Sequence, residues 1–216
     1  MRFADRADAG RHLARALVGY RDRDPVVLAL PRGGLPVAAE IASALAAPLD
    51  VVLVRKIGVP WQPELAMGAL VEGDDPIVAR NEAVIRAAGI DERAIETART
   101  RALSELEGAR RRLDGVRPRV AIAGRAASLV DDGVATGATA RAALLSIRRR
   151  GAKTLTLAVP VASAEALATL KREVDDLVCL EAPTRFGAVS AFYVDFRQVE
   201  DEEAVAILAR FPPAAR

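Results

Sequence analysis

The chain has 216 residues, 51% of them apolar and 28% charged, with 31 Lys and Arg against 29 Asp and Glu for a formal charge of +2. Those proportions describe a soluble globular domain of the larger kind and leave no basic excess for nonspecific nucleic-acid binding. One cysteine, Cys179, and one histidine, His12, exclude an internal disulfide and a His/Cys zinc cage, and all but exclude His-based catalysis. Apolar runs such as Val26–Leu30 are too short to span a bilayer. The opening Met-Arg-Phe-Ala-Asp-Arg lacks the apolar core of a secretory leader, so a cytoplasmic setting is expected. Carboxylate, backbone-amide and Arg/Lys chemistry remain.

In chain order, Asp8 is placed to cap a first helix that carries Leu13, Ala16 and Leu17 inward. A continuous apolar run, Pro25–Leu30, reads as a buried strand and ends in Pro31-Arg-Gly-Gly34. A helix over about 35–46 and a second strand, Leu49–Arg55, follow. Residues 57–76, rich in Gly and Pro, read as a loop or hairpin interrupting the sheet. From 91 to 114 one long helix is expected, with Ile95, Ala98, Ala102, Leu106, Ala109 and Leu113 forming a seam that packs on its own domain or on a second subunit. The strand–helix alternation then resumes as Ala127–Asp131, a helix 138–150, Thr154–Pro160, a helix 163–173, Leu177–Leu180 and a closing amphipathic helix 201–210. Continuous apolar strands joined by helices imply an α/β domain whose parallel sheet is covered on both faces.

The chemistry concentrates in Ala127-Ser-Leu-Val-Asp-Asp-Gly-Val-Ala-Thr-Gly-Ala-Thr139. An apolar strand ends in two acids, and a small-residue loop then opens a helix. Such a loop turns successive N–H groups onto an anion at the helix N-terminus, with the Thr136 and Thr139 hydroxyls as further donors. Asp131 and Asp132 could bind sugar hydroxyls or a hydrated Mg²⁺ beside that anion. Neither G-x-x-x-x-G-K-[ST] nor G-x-G-x-x-G is present in the segment. Alone, two acids at a strand end read equally as a solvated turn.

The whole run resembles the phosphoribosyl diphosphate (PRPP) binding signature of type I phosphoribosyltransferases. Leu30-Pro-Arg-Gly-Gly34 resembles that family's diphosphate loop, nearest its xanthine-type form. The resemblance spans about Pro25 to Leu180. It implies a single type I phosphoribosyltransferase-like domain over 1–216: a parallel sheet flanked by helices, a helical insert at about 80–115, and a small hood from the N-terminal segment and about 181–200. It further implies that Asp131 and Asp132 hold the ribose hydroxyls and a Mg²⁺. Gly133, Val134, Ala135, Thr136, Gly137, Ala138 and Thr139 would wrap the 5-phosphate, and Pro31, Arg32, Gly33 and Gly34 would meet the diphosphate, with a cis bond between Pro31 and Arg32.

By the same resemblance Arg32, Arg55, Lys56 and Asp132 are the catalytic candidates, the basic pair neutralising charge on the leaving group. Taken singly, Arg55 and Lys56 read as well as a solvated strand end. Residues 57–76 would be the mobile loop over the site, with Trp61 and Glu64 its notable side chains, although packing accounts for Trp61 equally. Ala135 stands where hypoxanthine-guanine and xanthine enzymes carry an Asp, which turns the expectation away from a 6-oxopurine. Phe186, Phe192 and Tyr193, three of the chain's eight aromatics, are the candidates for stacking on an acceptor base or for simple hood packing. Asp195 reads as a solvated loop acid or an acceptor-facing one.

The expected function is transfer of the 5-phosphoribosyl group of PRPP to a small nitrogen acceptor with release of diphosphate. A non-catalytic PRPP or nucleotide sensor and a hydrolase of phosphorylated sugars or nucleotides stay as alternatives. No nucleic-acid or membrane partner is expected, and a homodimer is open.

Overall fold

The β-branched and leucine-rich runs become strands where helices can cover them, and alanine-rich helices lie close on both faces. The computed structural model describes residues 2–73, 76–114 and 119–211, with the side chains of Glu64, Ile77, Leu113 and Asp114 outside the description. The chain begins with α1 (Arg6–Ala16) and continues through β1 (Pro25–Ala29), α2 (Gly34–Leu45) and β2 (Leu49–Val51). An antiparallel excursion follows: β3 (Val54–Val59), β4 (Gln62–Val71) and β5 (Ile77–Arg80), then α3 (Glu82–Ala87) and α4 (Glu92–Asp114). The chain returns through β6 (Ala126–Val130), α5 (Ala138–Arg149), β7 (Thr154–Val161), α6 (Ala164–Leu170), β8 (Asp176–Glu181) and α7 (Asp201–Ala209).

Five strands form a parallel sheet in the order β2-β1-β6-β7-β8, and three form the separate antiparallel sheet β3-β4-β5. One apolar layer, with Leu13, Leu35, Ile41 and Leu45, lies against α1 and α2; the other, with Leu129, Leu144, Leu155 and Leu170, lies against α5 and α6. The winding reverses between β1 and β6, so the crevice past their carboxyl ends is where such sheets bind ligands. Both motif loops, 31–34 and 131–137, leave the sheet there.

Three expectations need correction. The first helix is capped by Asp5, whose carboxylate accepts from Asp8 N–H at 2.7 Å, while Asp8 accepts from Ala4 N–H at 3.1 Å. The two acids cap reciprocally, the helix starts at Arg6, and Ala16 faces outward while Ala9, Leu13 and Ala14 are buried. The second strand stops at Val51, and Arg55 and Lys56 belong to β3 of the antiparallel sheet. The helix expected over 163–173 is shorter, Ala164–Leu170, and starts on the Ser163 hydroxyl. Of the two readings of 57–76, the hairpin is the one formed: β3 and β4 turn at Pro60 and Trp61. In α4, Ile95, Ala102 and Leu106 of the expected seam are buried against the hairpin's own domain; the Leu113 side chain lies outside the description.

The N-terminal residues and 192–195 are zipped together. Phe3 N–H donates to Phe192 O at 2.8 Å, Val194 N–H to Phe3 O at 2.8 Å, and Asp195 N–H to Ala4 O at 2.9 Å. Phe3 and Tyr193 are wholly buried at this seam. No described helix is long and apolar enough to cross a membrane.

Candidate active site

The two loops meet so closely that the first has no room for a side chain at Gly33 or Gly34. A Cβ on Gly33 would fall inside the Asp132 carboxylate, with Cγ only 2.7 Å away. One on Gly34 would lie 2.7 Å from Val130 O and 3.1 Å from Asp131 Cα. Leu30 N–H donates to Val130 O at 2.9 Å and ties the strand ends together. The peptide bond between Pro31 and Arg32 is cis. Thus Pro31-Arg-Gly-Gly34 and Asp131–Asp132, far apart in sequence, form one surface.

Past the acids, Gly133 passes between Val161 and Val189, where a Cβ would meet their methyls at 2.9 and 2.5 Å. Val134 pins the loop to β7 by donating to Val161 O at 2.9 Å, and Ser163 Oγ donates to Ala135 O at 2.6 Å. Gly137 adopts φ +78°, a left-handed angle that suits glycine, and starts α5. Arg141 N–H donates to Gly137 O at 2.8 Å, so the amides of 138–140 precede the first helical bond and have no intrahelical acceptor. Ala135, Thr136, Ala138 and Thr139 are exposed, which leaves the amide-lined turn open to an anion.

The acids are unequal. Burial first, and then the neighbouring Asp132 charge, push the Asp131 carboxyl well above the usual range. Asp131 accepts from the Asp132 amide at 2.9 Å. Asp132 is also pushed up by burial, but the hydrogen bond from Arg6 opposes that. Arg6 Nε reaches Asp132 Oδ2 at 2.7 Å, and the Tyr193 hydroxyl donates to Asp132 O at 2.5 Å. Sequence reasoning missed Arg6 altogether. Its signal was long-range, because Arg6 and Asp132 lie 126 residues apart.

Other candidates are placed as follows. Arg32 is partly exposed and pairs with Asp201 at 3.4 Å and Glu200 at 3.7 Å. Arg55 pairs in register with Leu70 of β4, and its Nε binds Glu105 of α4 at 2.6 Å. Arg55 and Lys56 line a cavity of about 960 Å³ between β3 and α4, with Arg93, Arg101 and Glu105, and the cavity reaches Thr139. Trp61 is exposed at the hairpin turn; the Glu64 side chain lies outside the description. Phe186 and Phe192 stack on each other at 5.8 Å and 23°. For Tyr193 the hood-packing reading is the one formed: it is 1% exposed, and its hydroxyl holds the Asp132 carbonyl. Asp195 accepts from Arg197 N–H at 3.0 Å and stays exposed.

A parallel sheet with an acid pair, an amide turn and a second strand-end loop at its switch point is an α/β fold with a ligand crevice at the carboxyl ends of its strands. Residues 3–197 match the phosphoribosyl transferase domain, and the chain belongs to that family. It is 46% identical over 208 residues to proteins from two strains of Mycobacterium tuberculosis, CDC 1551 and H37Rv, each provisionally named a phosphoribosyl transferase. The match covers 96% of this chain and 46% of theirs, so the chain spans about half the length of these relatives. The crystal structure of TT1426 from Thermus thermophilus superposes with a TM-score of 0.85 at 44% identity, over 98% of this chain and 100% of that one.

Proposed function

We propose that the chain transfers the 5-phosphoribosyl group of PRPP to a small nitrogen acceptor of the nucleobase kind, releasing diphosphate. The carrying observation is the closure of Gly33 and Gly34 onto Asp132 and Asp131, which makes one ligand surface of two motif loops. On this reading the amides of 135–139 take the 5-phosphate and the acids accept from the ribose hydroxyls. The 31–34 loop, with Arg32, receives the diphosphate. The acceptor nitrogen's lone pair forms the bond to C1 while the C1–O pair departs with diphosphate. A cationic surround that neutralises the departing oxygens lowers that barrier.

The acid pair fits Mg²⁺. It offers hard oxygen ligands, and the half-buried Asp131 carboxylate lacks the guanidinium bond that Asp132 has. Asp131 would hold it, with Asp132 beside it. When bound, the ion would neutralise diphosphate charge.

Diphosphate release should be followed with PRPP, Mg²⁺ and a panel of nucleobases. Release that requires one of the bases is the expected result. Release without any base would indicate a hydrolase, and saturable PRPP binding without release would indicate a sensor.

A further inference from the structure

Arg6 is the first residue of α1, and its side chain is only 11% exposed. Three contacts hold the guanidinium. Nε donates to Asp132 Oδ2 at 2.7 Å, Nη1 donates to Arg197 O at 2.7 Å, and the group lies 3.9 Å over the Phe196 ring. The start of that helix is tied down by the reciprocal caps of Asp5 and Asp8 and by the packing of Phe3 on Tyr193. Tyr193 in turn holds the main chain of Asp132 through its hydroxyl. Asp132 is therefore fixed twice, at its carboxylate by the N-terminal helix and at its carbonyl by the C-terminal segment.

We propose that Arg6 is a positioning residue for the phosphoribosyl ligand, acting through Asp132. A charge-assisted bond to Oδ2 fixes the carboxylate plane and leaves Oδ1 as the oxygen that accepts from a ribose hydroxyl. The rotamer entropy of that side chain is lost on folding, so binding does not have to order it. The inference rests on the PRPP reading of the acid pair.

The test is a double-mutant cycle read by calorimetric titration with Mg²⁺–PRPP. Arg6→Gln should weaken binding about 10- to 100-fold, the usual effect of losing a group that orients a ligand-binding side chain. Arg6→Lys, which keeps the charge but not the fork, should recover part of the loss. In an Asp132→Asn background, Arg6→Gln should change affinity less than about twofold, because its route to the ligand is gone. Leu13→Ala, which loosens the buried face of the same helix, should lower the melting temperature and leave the dissociation constant alone. Undiminished binding by Arg6→Gln would overturn the proposal, and so would an equal loss in both backgrounds. Should Arg6→Gln not fold, wild-type affinity in Arg6→Lys together with weaker binding by Leu13→Ala would overturn it. If Asp132→Asn alone binds like wild type, the PRPP reading of the acids fails first and takes the inference with it.

Discussion

Gly33 sits at φ −60° and ψ −35°, a conformation open to any residue, so its missing side chain answers a steric demand. The space a Cβ needs is already taken by the Asp132 carboxylate. Gly33→Ala must push either the 31–34 loop or the acid away from its present place. Binding of Mg²⁺–PRPP should weaken at least about tenfold, while the melting temperature falls by a few degrees or less. Unchanged affinity in a calorimetric titration would mean that the two loops do not share a ligand. The residues carrying the motifs were legible because each motif is local: acids, glycines and threonines close together along the chain. Arg6 and Tyr193 were not, because their partners lie 126 and 61 residues away. The sequence leaves Tyr193 open between acceptor stacking and hood packing, because the surroundings that decide it, Phe3 and the Asp132 carbonyl, are set by tertiary pairing alone.

At the scale of elements, the antiparallel sheet and α4 are attached to the parallel sheet through buried charge. Arg110 of α4 forks onto Glu72, at 2.7 Å from Nε to Oε2 and 2.5 Å from Nη2 to Oε1, and lies 3.7 Å from Asp50 of β2. Glu72 also accepts from Leu53 N–H at 3.0 Å, and Asp50 from Val120 N–H at 2.8 Å. Arg110→Ala would remove the bidentate partner of buried Glu72, leaving it the 3.5 Å contact with Arg119, and should cost about 3–5 kcal/mol of unfolding free energy. Arg55→Ala, which breaks the exposed pair with Glu105, should cost under about 1 kcal/mol. Denaturant midpoints compare them directly, and equal losses would refute the difference in burial as the cause. The misread end of β2 has a related origin. Val51-Val-Leu-Val54 is one apolar run, buried at Val52 and Leu53, yet it spans the step from one sheet to the other. Periodicity detects burial in such a run and cannot detect the change of sheet. The runs of β1, β6, β7 and β8 were legible because each is a short apolar stretch bounded by loops.

Across the whole molecule, the N-terminal segment and residues 193–197 converge on the acid pair, and the excursion 54–114 stands over the helix that follows it. Phe3 and Tyr193 join the N-terminal segment to the C-terminal one, and Arg6 and Tyr193 both reach Asp132. Arg32 of the other loop is paired with Asp201 at the start of α7. One crevice past β1 and β6 thus collects groups from the N-terminal helix, the two motif loops and the C-terminal segment. Calorimetric titration of Mg²⁺–PRPP into the wild-type protein and into Asp131→Asn/Asp132→Asn tests the use of that crevice most directly. Saturable binding by the wild type, lost for the most part in the double variant at a nearly unchanged melting temperature, is the expected result. Retained binding alongside a large loss of stability would show the two acids to be structural and would contradict a phosphoribosyl site there.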